Sequence, residues 1–513
     1  MNSKFMEMYS RVILQITLEN SVHDFQKLAL GIESEMKKTG GQTNMNKKRA
    51  SLMLLSIIML FSMFLSACGG NNENSKGTQK NNATNTTDKS ANNAAKDTPK
   101  EDVTLTAWIM PNSPKPDKDF MVAMKPYLDQ NPNVKINVTV LDWGSAWTKI
   151  TTAATSGQGP DILQLGTTWV PAIAAMKGID DLTDRVGEVG GEENYLPASW
   201  KTTMIDGKPE IYGIPWFVDA RALFYRKDAL AQAGLDPATA FKDWDTFKQT
   251  LSKLNGVEIE GQKMTAFGVP GKNDWNVPHN IFPWIWSAGG NIFNEDNTKV
   301  TFNDKAALEG VMYYTGLANE GLVDKASLEK NSSQIESDFS DGKTAVMVSG
   351  AWMVKNFATP EADGGVGEKT AAKNYGVTAL PAGPAGTSTF IGGSHLTIFK
   401  GSKHKDAAWD VIKYLSSEEA QLTYSQLSGQ LPAQKAVMAS LTSDPGYKAL
   451  VEATEYGKSY PSIPQWGPCE TALVKYFGNI WDVVAGVSGT YSEEAIQKQL
   501  DDAANEVNAI INQ

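Results

Sequence analysis

Past residue 100 the chain alternates apolar and polar positions in short runs separated by turn residues. Val103-Thr104-Leu105-Thr106-Ala107-Trp108-Ile109 and Val134-Lys135-Ile136-Asn137-Val138-Thr139-Val140 repeat with period two, which predicts strands. Between them Phe120 to Asp129 reads as a helix stopped by Asn131-Pro132. A third strand, Asp161 to Leu165, follows the Gly157-Gln158-Gly159-Pro160 turn. Strand, helix, strand, helix, strand predicts a parallel sheet with right-handed crossovers. Further on, Ala408, Val411, Ile412 and Leu415 share one helical face. Ser416 and Glu419 are spaced as a capping box for a second helix that runs to about Gly429. No internal repeat is visible. The fold class expected from the pattern is α/β.

The pattern before residue 100 is different. Met45-Asn46-Lys47-Lys48-Arg49 is basic, Leu52 to Phe64 is apolar apart from small serines, and Leu65-Ser66-Ala67-Cys68 follows. That is the order of a secretory signal. It resembles a bacterial lipoprotein signal, with an aliphatic residue, two small residues and a cysteine at its cleavage zone. The resemblance implies that residues 45–67 are removed and that Cys68 is lipidated as the first mature residue. A transmembrane anchor is the other reading, but the apolar run is shorter than the ~20 residues a spanning helix needs. Residues 68–101 are rich in Asn, Thr, Ser, Lys and Gly, with almost nothing to bury, and are expected to form a disordered tether. Residues 1–44 precede the basic segment and read as a mis-called extension, with Met45 as the start; a long n-region is the alternative. The expected location is the outer face of a cell membrane.

Charge and composition narrow the chemistry. The whole chain carries −11 and the first 67 residues a net +3, so the remaining 446 residues carry about −14. That length suits two domains. An acidic surface argues against nucleic acid as a partner and against a basic grip on anionic lipid. With Cys68 acylated, Cys469 stands alone, so no intramolecular disulfide is possible. His279, His395 and His404 have no ligand spacing with one another, and no Gly-rich phosphate loop of the common types is present. No metal and no cofactor is expected.

From about Val103 onward the chain resembles an extracellular solute-binding protein of ABC importers, family 1, the maltose-binding-protein-like group that takes up sugars and oligosaccharides. The motifs are Asp206-Gly207-Lys208, Tyr212-Gly213-Ile214-Pro215, Leu223-Phe224-Tyr225-Arg226-Lys227-Asp228, Ala233-Gly234-Leu235 and Trp244-Asp245-Thr246-Phe247. They continue with Phe339-Ser340-Asp341-Gly342-Lys343-Thr344-Ala345-Val346, Gly350-Ala351-Trp352, Tyr375-Gly376-Val377-Thr378-Ala379-Leu380-Pro381, Gly392-Gly393-Ser394, Ala407-Ala408-Trp409 and Gly429-Gln430-Leu431-Pro432. Arg226 departs from the family, which more often has asparagine there. The resemblance implies a two-lobed periplasmic-binding-protein-like fold (type II) with three crossover segments at the hinge. These map near Asp219–Leu223, Ser394–Thr397 and Gln430–Ala433. Lobe 1 would then comprise 102–219 with 394–429, and lobe 2 220–393 with 430–513. The implied role is non-enzymatic: the protein binds a sugar between the lobes, closes around it and delivers it to permease subunits, as a monomer tethered to the membrane. A carbohydrate-active enzyme and a ligand sensor for a membrane receptor remain as alternatives.

All fourteen tryptophans follow the signal, and several sit on predicted loops. A pyranose presents an apolar face of C–H groups and a rim of hydroxyls; indoles suit the face, and carboxylates, amides and Arg suit the rim. The expected ligand-binding residues are Trp169, Trp216, Trp286 and Trp352, with Asp219, Arg221, Gly393 and Ser394 on the polar side. Trp200, Trp244, Trp409 and Trp481 read as packing residues. Asp219 and Arg221, two apart on an extended segment, share a face and either meet the ligand or pair with each other. Asp161 reads as an Asx-type turn residue, and His395 as a hydrogen-bonding residue near the hinge.

Overall fold

The computed structural model describes residues 101–513, where the period-two runs form strands. The expected signal, the lipidated Cys68, the extension and the tether up to residue 100 lie outside the described residues. No helix among the described residues is long and apolar enough to cross a membrane.

Strands β1 (Val103–Ile109), β2 (Val134–Val140) and β3 (Ile162–Gly166) form the predicted parallel ladder, with β1 between the other two. Leu105, Ala107 and Ile109 are fully buried, whereas the intervening Thr104 and Thr106 are exposed, as a sheet with one covered face requires. The intervening helix Pro116–Gln130 buries Phe120, Ala123 and Met124 and ends at Asn131. Three later segments extend the sheet antiparallel. These are β4 (Ile214–Ala220), β11 (Thr389–Ile398), set between β4 and β3, and β12 (Leu431–Pro432), on the far side of β4; the short β13 (Gly457–Lys458) adds to β11.

A second sheet runs β10 (Tyr375–Thr378), β5 (Ala222–Arg226), β9 (Thr344–Ser349), β8 (Thr265–Gly268). A separate hairpin pairs β6 (Glu258–Ile259) with β7 (Gln262–Lys263). The helices Val277–Ser287, Lys305–Asn319, Trp466–Ala485 and Glu493–Ile511 share one hydrophobic core beside the second sheet. β4 and β5 belong to different sheets and are separated by a single residue, Arg221. The chain thus passes from the first sheet to the second at Arg221.

Two local expectations change. The second crossover falls earlier than Ser394–Thr397, because β11 is already paired with β4 from Ile391, so residues 389–393 lie in the first sheet. The cap of the helix Glu418–Ser428 is Ser417, whose hydroxyl accepts from the Ala420 amide; Ser416 instead closes the preceding helix Lys405–Leu415. Adjacent serines make such a one-residue slip invisible to spacing alone. Gly429, at φ 79°, ends the helix in the left-handed region as a glycine readily does.

Candidate functional site

Where β4, β11 and β12 run side by side at the boundary between the lobes, their ends floor a cleft of about 410 Å³. On β4 the residues alternate. Phe217 and Asp219 line the cleft and Arg221 continues that face, whereas Trp216 turns the other way. Opposite them, Gly392-Gly393-Ser394 crosses close to the β4 backbone. Gly393 has φ 127°, and a Cβ there would lie 2.2 Å from the Phe217 carbonyl oxygen, so only glycine fits. The ladder shifts register just after Ser394. The Ser394 hydroxyl accepts from Gln164 Nε2 (2.9 Å), which leaves its own O–H free to donate. Gln164 is in turn bonded to Asn112, another lining residue.

One wall is aromatic. Asp142 caps the helix Trp143–Ser156 by accepting from the Gly144 amide, which sets Trp143 at the first helical position beside the cleft. Trp143 and Trp147 lie one turn apart and both meet Trp169, at 5.4 and 5.6 Å between ring centroids. From the other lobe Trp275, half exposed, stacks on Trp143 (6.1 Å, 22° between planes) and sits edge-on to His279. His279 stacks on Phe390 at 4.1 Å and bonds the Tyr460 hydroxyl through Nδ1 (2.7 Å). Burial, with the nearby Arg221 charge, holds its imidazole well below the ordinary pKa, so the ring is neutral at pH 7. The lobes also touch at the opposite rim, where Lys115 pairs with Asp363 (3.4 Å) and Pro114 lies against Gly364. The cleft is therefore bridged on two sides.

The other wall is a charged network. Arg221 is 5% exposed and donates through Nε (3.2 Å) and Nη2 (2.8 Å) to Asp219 Oδ2. Its guanidinium lies 4.8 Å from the Trp352 ring centroid. Burial works against the charge, but Asp219, with Glu336 and Asp274 beyond it, outweighs this and raises the guanidinium pKa. Glu336, on the helix Ser332–Ser340, accepts through Oε1 from Ser349 Oγ (2.6 Å) and from Trp352 Nε1 (2.9 Å). Burial pushes its carboxyl up, while those two donors and Arg221 pull it back. Asp219 Oδ1 and Gln430 Oε1 are buried without any hydrogen-bond partner. Such orphan acceptors are costly unless a donor completes them.

Of the residues expected from sequence, Trp169, Asp219, Arg221, Trp352, Gly393 and Ser394 line this cleft. Two do not. Trp216 is 2% exposed and packs on Tyr424 (4.3 Å, stacked) and Phe120, on the opposite face of β4. Trp286 is buried in the second lobe's core against Phe282 and Tyr460, within a helix buried along its whole length. Trp352 borders the cleft, but its indole N–H bonds Glu336 and one ring face is covered by Arg221. Trp275, Phe217, Asn112, Glu336, His279 and Gln430 line the cleft and were not expected there, and Trp143, which follows a strand's carboxyl end, lines it although it was not among the expected ligand-binding residues. Asp219 and Arg221 both pair with each other and face the cleft, so the two readings of that segment coexist. Asp161 lies elsewhere: its carboxylate joins Thr106 on β1 and Ser402, a cross-strand tie instead of a local turn. His395 is buried, bonded to Thr202, and outside the cleft.

The family model for bacterial extracellular solute-binding proteins matches residues 111–422. The chain belongs to this family. Among curated relatives, the diacetylchitobiose-binding protein DasA of Streptomyces coelicolor is 27% identical over 77% of this chain and 91% of its own length. A galactooligosaccharide-binding protein of Bacillus subtilis is 25% identical over 72% and 83%. Among solved structures, the sugar-binding protein MalE of Xanthomonas citri superposes with a TM-score of 0.65 at 26% identity, covering 79% of this chain and 98% of that one. The fold of this solute-binding protein is accordingly the two-lobed, type II arrangement.

A further contact between the lobes of the solute-binding protein carries a titratable group. The first turns of the helix Trp466–Ala485 bring Gly467 against the Trp147 ring and Glu470 near Thr168. One Glu470 carboxyl oxygen is buried without a partner. Burial pushes the carboxyl up to about 7, and Trp466 and Thr168 offset only part of this. A raised acid favours the folded state fully below the unfolded value near 4.5, and that contribution is lost as pH rises through about 7. Glu470→Gln is therefore expected to melt higher than wild type at about pH 8, by up to ~3 kcal/mol of stability, and close to it at about pH 4.5. Calorimetric melts with no difference at either pH would contradict this account.

Proposed function

We propose that this solute-binding protein is the carbohydrate-capturing component of an ABC importer. It holds a sugar or oligosaccharide in the cleft between the two lobes, at the ends of β4, β11 and β12. It closes around the sugar and presents it to the membrane permease. The observation that carries the reading is the pairing, in one cleft, of an aromatic wall with orphan acceptors: Trp143, Trp169 and Trp275 offer flat apolar surface, and Asp219 Oδ1 and Gln430 Oε1 need donors. A pyranose supplies both C–H faces and O–H donors. Gly393, Ser394, Arg221 and Trp352 complete the proposed site. Sugar-binding relatives support the same class. A thermal-shift screen against mono- and oligosaccharides tests it, because a ligand selective for the native state raises the melting temperature by mass action. Absence of any shift at millimolar sugar would count against the reading.

The protein acts as a binder and not as an enzyme, so oligosaccharides incubated with it should be recovered unchanged. It works as a monomer on the outer face of the membrane, anchored through Cys68 and a tether up to residue 101. Cys68→Ser is expected to abolish fatty-acid labelling and release the protein from the membrane fraction. Equal labelling of wild type and variant would refute the anchor and leave the binding role untouched.

A further inference from the structure

The charged side chains among the described lining residues of the cleft are three: Asp219, Arg221 and Glu336. Arg221 is largely engaged, with Nε and Nη2 on Asp219, Nη2 also 3.5 Å from Asn276 Oδ1, and its plane on Trp352, which leaves Nη1 to donate. That pair cancels in charge. Glu336 is then the excess, and no second cation lines the cleft to balance it. Its Oε1 is occupied by Ser349 and Trp352, whereas Oε2 makes no protein hydrogen bond. His279 is neutral and adds no positive charge. The valences left open include three acceptors, Asp219 Oδ1, Gln430 Oε1 and Glu336 Oε2, beside the Ser394 hydroxyl and Arg221 Nη1 as donors. Donors complete such a surface, and a second anion is repelled by it without hydration to screen the two charges.

Resting on the carbohydrate reading above, we infer that the cleft selects uncharged, hydroxyl-rich sugars against acidic ones, and that Glu336 sets this preference. A uronate or sugar phosphate would bring its anion beside Glu336 and Asp219, with the charge of the one guanidinium already offset by Asp219. A neutral sugar of the same shape donates hydroxyls to the same oxygens. Glu336 acts by charge, and its neutral isostere should keep the hydrogen bonds from Ser349 and Trp352 while relaxing the discrimination. This differs from a purely structural role, which would change affinity for both ligand types alike.

Isothermal titration at pH 8 and low salt, with maltose, cellobiose, galactobiose, mannobiose, xylobiose and diacetylchitobiose, identifies the neutral sugars that bind. Each binder with a C6 hydroxyl is then compared with its C6-oxidised uronate. The wild-type protein is expected to bind the uronate at least tenfold more weakly. In Glu336→Gln that ratio should shrink severalfold, because the neutral sugar loses affinity while the uronate gains it. Equal or tighter binding of the uronate by wild type overturns the inference without reference to any variant, and leaves the carbohydrate reading standing. So does a ratio unchanged in Glu336→Gln when that variant melts like wild type and still binds the neutral sugar. If no sugar binds in either form, the carbohydrate reading itself falls and the charge preference with it.

Discussion

Replacing Arg221 with leucine is expected to lower the melting temperature of the ligand-free protein by several degrees and to abolish measurable sugar binding. Arg221 is the single residue between β4 and β5, and both of its Asp219 contacts converge on Oδ2. Because Oδ1 already lacks a partner, the substitution would leave the whole carboxylate without a protein donor. Removing one member of a buried pair typically costs about 3–5 kcal/mol, and the Asp219 side chain, 17% exposed at the edge of the cleft, places this case near the lower end. The Trp352 indole would lose the guanidinium that covers it. The double variant Asp219→Asn, Arg221→Leu should recover part of the lost stability, because it removes the stranded charge, while binding stays weak. A single variant as stable as wild type would show that the pair does not hold the crossover.

Trp143→Ala and Trp275→Ala should each weaken sugar binding roughly ten- to a hundredfold. An indole stacked on a sugar ring is worth about 1–3 kcal/mol if the ring face behaves like other apolar surface. Trp275 is 50% exposed, so its loss should leave the apo melting temperature nearly unchanged. Trp216→Ala provides the contrast. That indole fills a core site between Phe120 and Tyr424, and a large-to-small change there costs about 3–5 kcal/mol of stability. The folded fraction of Trp216→Ala should bind with near wild-type affinity. If the Trp216 variant loses affinity while the Trp143 and Trp275 variants keep it, the aromatic wall is misplaced.

The parts of the fold legible in the sequence were those set by short-range periodicity. The β1 and β2 alternation and the helix stop at Asn131-Pro132 need only local sterics. The place of Arg221 at a crossover came from the family motifs. Trp216 shows where the sequence could have been read further. Asp219 and Arg221 share a face because strands alternate, and the same rule puts Trp216, an odd number of residues away, on the other side of β4. Trp286 followed from treating an aromatic run as a loop; in the helix Val277–Ser287 every residue is buried, which marks a core helix. Trp275 was passed over although it precedes a helix start signalled by Pro278, a place where an indole stands at the surface. Glu336 carried no local signal at all. Its partners Ser349 and Trp352 lie 13 and 16 residues further along, brought to it by the packing of one helix on β9 and the start of another.

A crystal structure grown with the neutral sugar that gives the largest thermal shift tests the central claim most directly. The account predicts that sugar in the cleft between the lobes, with a ring face against Trp143 or Trp275 and a hydroxyl donating to Asp219 Oδ1. Sugar bound only outside this cleft, with Asp219 Oδ1 still lacking a donor, would contradict it.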